Sequence, residues 1–198
     1  MPTLSLGGQT LATQTNSDAP VLGSVSLNTG QVFPTGHVIQ VVQAIKHDRE
    51  ILPSTTSENI ISDWTLSITP HKEGSKILVY YSFDTGFNGA LTARTYMVRS
   101  VDSGSSFSNL TGAMGTDGGS DGKASLSHSG TDETWMCFKQ SGMYLDSPSY
   151  TLGNSVQYRI GCQSESTAGG IYIGSTKRGG TIYHPRTASV MLGQEIAI

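Results

Sequence analysis

The chain has 198 residues, of which 14% are charged, 36% are hydrophobic and 24 are glycine. Its formal net charge is −3, and its 12 lysines and arginines are scattered, so it lacks the basic run that follows a phosphate backbone and no nucleic-acid partner is expected. No apolar stretch reaches the length of a membrane-spanning helix, and no basic segment leads into an apolar one near residue 1, so neither membrane insertion nor an export signal is expected.

So few charges among so many Ser, Thr and Gly residues suit short strands and turns, and suit helices badly. The length allows little more than one domain. Residues 1–35 differ from the rest. They hold one charged residue, Asp18, yet carry Leu4, Leu6, Leu11, Val25, Leu27 and Phe33. A Gly/Ser linker lacks that many aliphatic side chains, and a chain this patchy has too little continuous pattern to fold alone. Val25 and Leu27 alternate with Ser24 and Ser26, followed by turn chemistry at Asn28-Thr29-Gly30. The segment reads as an extended arm that orders against a neighbour, with the folded domain beginning at residue 36.

From there, strand-like runs follow one another between turns. Residues 37–45 (HVIQVVQAI) are rich in β-branched side chains. In 64–69, Trp64, Leu66 and Ile68 share one face and Thr65, Ser67 and Thr69 the other, and Pro70 ends the run. His71 to Gly74 form a polar turn with a glycine placed for positive φ. Residues 93–101, 134–138, 155–162, 169–176 and 188–198 complete the series, and no helical stripe interrupts it. The pattern predicts an all-β protein, an antiparallel β-sandwich or jelly roll.

Two strands carry more apolar residues than one core needs. In 76–83 the row Ile77, Val79, Tyr81 and Phe83 faces one way, while Leu78 and Tyr80 face the other. In 188–198, Val190, Leu192, Ile196 and Ile198 form a row broken by Gln194. One face is expected to pack on the second sheet, and the other on a further copy of the chain. Leu78, Tyr80, Val190, Leu192, Ile196 and Ile198 are therefore the candidate subunit contact.

The run GHVIQVVQAI followed by WTLSITPHKEGSKILVYYSF resembles a module of marine and cyanobacterial phages. YLDSPSYTLGNSVQYRIGCQSESTAGGIYIGST and the closing ASVMLGQEIAI resemble its later blocks, in the same order. The resemblance covers residues 36–198 and rests on strand pattern and short motifs. Gly174 departs from it, standing where a polar Asn-Arg pair is expected. Members are phage structural or tail-fibre proteins, similar to trimeric jelly rolls of the tumour necrosis factor and C1q type. The resemblance implies a homotrimer in a virion assembled in the host cytoplasm. Residues 1–35 would dock it to other virion proteins of a tail, fibre or capsid. A tail-fibre or adhesin component touching host-surface glycan is the first reading. A capsid-decorating or head-fibre protein is the alternative, and a polysaccharide depolymerase the third.

Catalytic chemistry is sparse in the sequence. His37, His47, His71, His128 and His184 fall at no metal-ligand spacing. No nucleophile elbow of the G-x-S-x-G kind occurs. Asp117 and Asp121 in the loop 112–125 could offer oxygen ligands to an ion, or the loop could be a glycine-rich surface turn. Asp132, Glu133 and Asp146 are the carboxylates a glycosidase would need, at separations a sequence does not give. Cys137 and Cys162 are expected to be two buried thiols, with pairing left open. Tyr144 and Tyr150 are candidate host-contact residues in or beside loops, with core packing as the other reading; Tyr172 and Tyr183 are expected to cap the core. No enzymatic activity, cofactor or metal is expected.

Overall fold

The computed structural model describes residues 3–6, 9–13, 21–22, 34–53, 58–88, 91–115, 127–131, 136–164, 169–177 and 186–198. The chain divides into two compact units, Met1–Val32 and Phe33–Ile198. The first holds β1 (Thr3–Leu6), β2 (Gln9–Thr13) and β3 (Val21–Leu22), paired antiparallel in that order. The segment expected as an arm therefore carries paired strands of its own. Leu6 pairs with Gln9, so only Gly7-Gly8 separate the strands, and a Gly-Gly pair is a tight-hairpin signal. Leu4, Leu6 and Leu11 lie on these strands. Val25, Leu27 and Phe33 lie outside the described residues.

The second unit contains β4 (Val38–Lys46), β5 (Glu50–Pro53), β6 (Asn59–Ile68), β7 (Lys76–Phe87) and β8 (Leu91–Ser100). After β9 (Ser108–Asn109) comes a single 3-10 turn, Thr111–Ala113, the only helical element among the described residues. The chain continues through β10 (Ser127–Thr131), β11 (Cys137–Asp146), β12 (Val156–Ser164), β13 (Gly170–Ile173) and β14 (Ser189–Ile196). The pairing is antiparallel and nested: β4 with β14, β6 with β12, β7 with β11, β8 with β10. A long hairpin wound over itself in this way is how a jelly roll is built.

Two sheets result. In the first, β11 runs along residues 77–86 of β7, which leaves the opposite edge of β7 to β14 and β13 end to end. β4 then pairs with β14, and β5 with β13. In the second, β12 lies between β6 and β8, and β10 and β9 follow the outer edge of β8.

One core lies between the sheets. Ile77, Val79, Tyr81 and Phe83 of β7 meet Trp64, Leu66 and Ile68 of β6 and Tyr158 and Ile160 of β12, all essentially inaccessible to water. Period-two alternation explains this: along these stretches of β6, β7 and β12 every second side chain turns inward, and there the inward row is the apolar one. Burying each large side chain contributes about 1.5–3 kcal/mol. Trp64 and Phe83 pack edge to face with centroids 5.6 Å apart. The Trp64 indole N–H donates to the Ala44 carbonyl at 3.3 Å, a polar tie between the sheets. Thr65, Ser67 and Thr69 are partly or fully exposed, as the alternation requires.

The 71–74 turn forms where expected, with Gly74 at φ +73°. It is held by a carboxylate the sequence does not advertise. Glu195, on the inward row of β14, has a side chain with 0% exposure. It accepts hydrogen bonds from the His71 and Lys72 amides at 2.9 and 3.1 Å and from Gln40 Nε2 at 2.7 Å. Burial by itself raises its pKa, but these donors outweigh burial and hold it below the ordinary glutamate value.

Two expectations change. Cys162 is buried on β12, where burial pushes its thiol up to about 12, but Cys137 is exposed on the outward row of β11; both thiols are free. The strand expected at 134–138 begins at Cys137 and runs on to Asp146.

Candidate subunit-contact face

The outer face of the first sheet follows from its registers. Ile45, Val190, Ser82 and Ser141 form one row across β4, β14, β7 and β11; Gln43, Leu192, Tyr80 and Met143 form the next. The third is Val41, Gln194, Leu78 and Leu145, and Val38, Ile196 and Lys76 begin the fourth. Four strands about 4.8 Å apart and eight residues of about 3.3 Å give a face on the order of 500 Å².

Two thirds of the side chains in these rows are apolar, and several are open to water. Met143 is 74% exposed, Val41 54%, Leu145 46%, Ile45 43% and Tyr80 42%. Leu78, Val190, Leu192 and Ile196 are half-buried beside them. The only charged side chain in these rows, Lys76, sits at the margin. A contiguous apolar patch of several hundred Å² on a regular sheet is the signature of an interaction surface.

Of the six sequence candidates, the structure brings five together here. Ile198 lies beyond the end of β14 and meets the 71–74 turn, where its carbonyl oxygen accepts from Lys72 Nζ and its Cδ1 approaches Gly74. Sequence reasoning missed Val38, Val41, Ile45, Met143 and Leu145. In β4 a register irregularity opposite Glu195/Ile196 interrupts the alternation, so Val38 and Val41 share a face although their spacing is odd.

The other candidates fall elsewhere. Tyr144 is on β11 rather than in a loop, half-buried against the core with its hydroxyl toward Gly112. Tyr150 also packs on the core, and its phenol donates to the Lys72 carbonyl at 2.5 Å. Both rings are thus partly buried against the core, and Tyr150, in the loop after β11, also lines an open cavity with Gly74, Ser147, Pro148 and Ser149. Tyr172 is 8% exposed under the Arg49 guanidinium, 4.7 Å from the ring centroid.

Asp146 is engaged inside the fold. Arg99 Nη1 donates to both its oxygens at 2.8 and 2.9 Å, and the Tyr158 hydroxyl donates at 2.8 Å. Burial first, and then Asp146, push the Tyr158 phenol well above its ordinary pKa. The three side chains tie β11 to the second sheet. Asp117, Asp121, Asp132, Glu133, Tyr183 and His184 lie outside the described residues, as does the side chain of His128. His37, His47 and His71 are exposed, and the His71 ring sits 3.3 Å from Glu195. Among the described residues no three His, Cys, Asp or Glu side chains converge as a metal site would require. No helix among them is long and apolar enough to cross a membrane.

The fold and this face define an all-β protein with one sheet surface suited to association. Neither a family model nor a curated protein matches the chain. The phage resemblance therefore rests on the quoted motifs.

Proposed function

We propose that the protein is a non-enzymatic structural component that trimerises through the outer face of its first sheet and serves in a bacteriophage virion, as a tail-fibre or adhesin component. The observation that carries self-association is the exposed apolar set Val41, Ile45, Tyr80, Met143 and Leu145 on one regular sheet. Two such faces brought together bury on the order of 1,000 Å², about the least a specific interface needs. At about 25 cal/mol per Å², each copy gains on the order of 10 kcal/mol before the entropy of association is subtracted. A face almost without charge suits another copy of itself better than a charged partner. The threefold arrangement and the virion setting rest on the resemblance.

A capsid-decorating or head-fibre role is the second reading, favoured by the separate compact unit Met1–Val32, which would be the attaching part.

Multi-angle light scattering on the purified full chain tests the core of this reading. A mass of three chains is expected. A single chain overturns self-association, and two chains replace the trimer with a dimer. Deleting residues 1–32 should leave an assembly that no longer joins the virion; normal incorporation would remove the anchoring role.

A further inference from the structure

Gln194 breaks the chemistry of the apolar face. It stands on β14, an interior strand of the sheet, in register with Val41 on β4 and Leu78 on β7. Its same-face neighbours along β14 are Leu192 and Ile196. All four surrounding side chains are apolar. The other polar positions are peripheral: Gln43 is on the outer strand β4, Ser82 and Ser141 lie in the first row, and Lys76 lies in the last.

An amide in that setting faces two incompatible demands. In a single chain it keeps its contact with water. In a subunit contact it loses water, and left unpaired it would oppose association. A primary amide has both donors and an acceptor, so it can bond to a copy of itself, as an ammonium or an ionised carboxylate cannot. Rotational symmetry brings identical residues face to face only close to the axis.

We propose that Gln194 lies at the symmetry axis of the assembly, where the amides of successive copies hydrogen-bond to one another and select the register and the number of chains. The inference rests on the self-association proposed above. A lone polar residue set in an apolar contact is a physical means of choosing register and oligomer state, at some cost in stability.

The test compares the wild type with Gln194→Glu, Gln194→Leu and Gln43→Glu by light scattering at pH 8 and pH 4, with circular dichroism to verify folding. A carboxyl group ionises near pH 4.3 in water. Gln194→Glu should therefore place like charges together at pH 8, weaken association at least tenfold, and regain the wild-type mass toward pH 4. Gln194→Leu should associate at least as tightly as the wild type but in more than one stoichiometry. Gln43→Glu, away from the axis, should keep the wild-type mass at both pH values.

An assembled Gln194→Glu at pH 8 overturns the axial placement, and so does equal dissociation by Gln43→Glu. A Gln194→Leu protein with the single wild-type stoichiometry overturns the selecting role, and this variant decides alone if Gln194→Glu fails to fold. A wild type that is itself a single chain overturns the underlying association, an outcome separable from all of these.

Discussion

The two sheets share one core but present opposite outer faces. On the first, the outward rows hold Val41, Ile45, Leu78, Tyr80, Leu192, Met143 and Leu145. On the second, β12 and its neighbours turn Thr65, Ser67, Gln157 and Arg159 outward, with Val98 and Ser100 in the same rows but buried. Several polar groups of that second face pair within the chain, although the buried Tyr96 hydroxyl has no hydrogen-bond partner among the described residues. Arg159 Nε donates to Thr65 Oγ1 at 2.9 Å, and the Arg159 guanidinium lies 4.2 Å from the Phe107 ring centroid. Tyr96 lies across Gly161, its ring where a Cβ would otherwise stand. Backbone architecture is therefore neutral about partners: the same alternation yields a face with polar contacts of its own and a face left apolar.

The comparison breaks most visibly under a charge. Leu192→Arg, in the middle of the first face, should reduce the proposed assembly to single chains by light scattering with an unchanged circular dichroism spectrum. Ser67→Arg, on the second face, should leave the mass as it was. If the two variants behave alike, the faces do not differ in role.

A smaller effect concerns the turn that closes one end of the first sheet. Glu195→Gln removes the buried charge that two turn amides and Gln40 hold, and should cost about 1–3 kcal/mol in denaturant unfolding at pH 7. The pH dependence has a defined sign. Because the folded-state pKa lies below the ordinary value of 4.5, the carboxylate contributes stability above that value. This contribution fades as pH falls through the lower folded pKa. The stability difference between wild type and Glu195→Gln should therefore shrink on acidification below about pH 4.5; a difference that grows there would contradict the assignment.

The smallest change sharpens the second face. Arg159→Ala removes one partly exposed cation–aromatic contact and one hydrogen bond, and should cost about 0.5–1.5 kcal/mol without altering the mass. A change in oligomer mass would mean that this face also takes part in association.

How far these features could be read from the residues differs by element. β6 was legible from Trp64 to Ile68 and β7 from Ile77 to Phe83, where alternation holds, and Gly74 because a turn at positive φ needs it there. Earlier in β6 an irregularity at Asp63, at φ +52°, puts Ile61 and Trp64 on the same side. β11 was not legible beyond its first residues. Its inward row includes Gln140 and Asp146, which are tolerable in an interior only because Thr85, Arg99 and Tyr158 arrive from other strands to meet them. The hairpin of β1 and β2 was legible in principle from Gly7-Gly8, a signal hidden by the sparse pattern around it.

By itself the sequence determined the all-β class, the inward row of each regular strand and the surplus of apolar side chains on β7 and β14. Period-two geometry needs only neighbours in the chain, so local order suffices to sort side chains between two faces. Only the tertiary structure decided that β4 and β11 extend that surplus into one continuous surface, that Tyr144 and Tyr150 turn toward the core, and that Glu195 holds the 71–74 turn. These depend on registers between residues far apart in the chain, and register is set by packing and hydrogen bonds that no single strand contains.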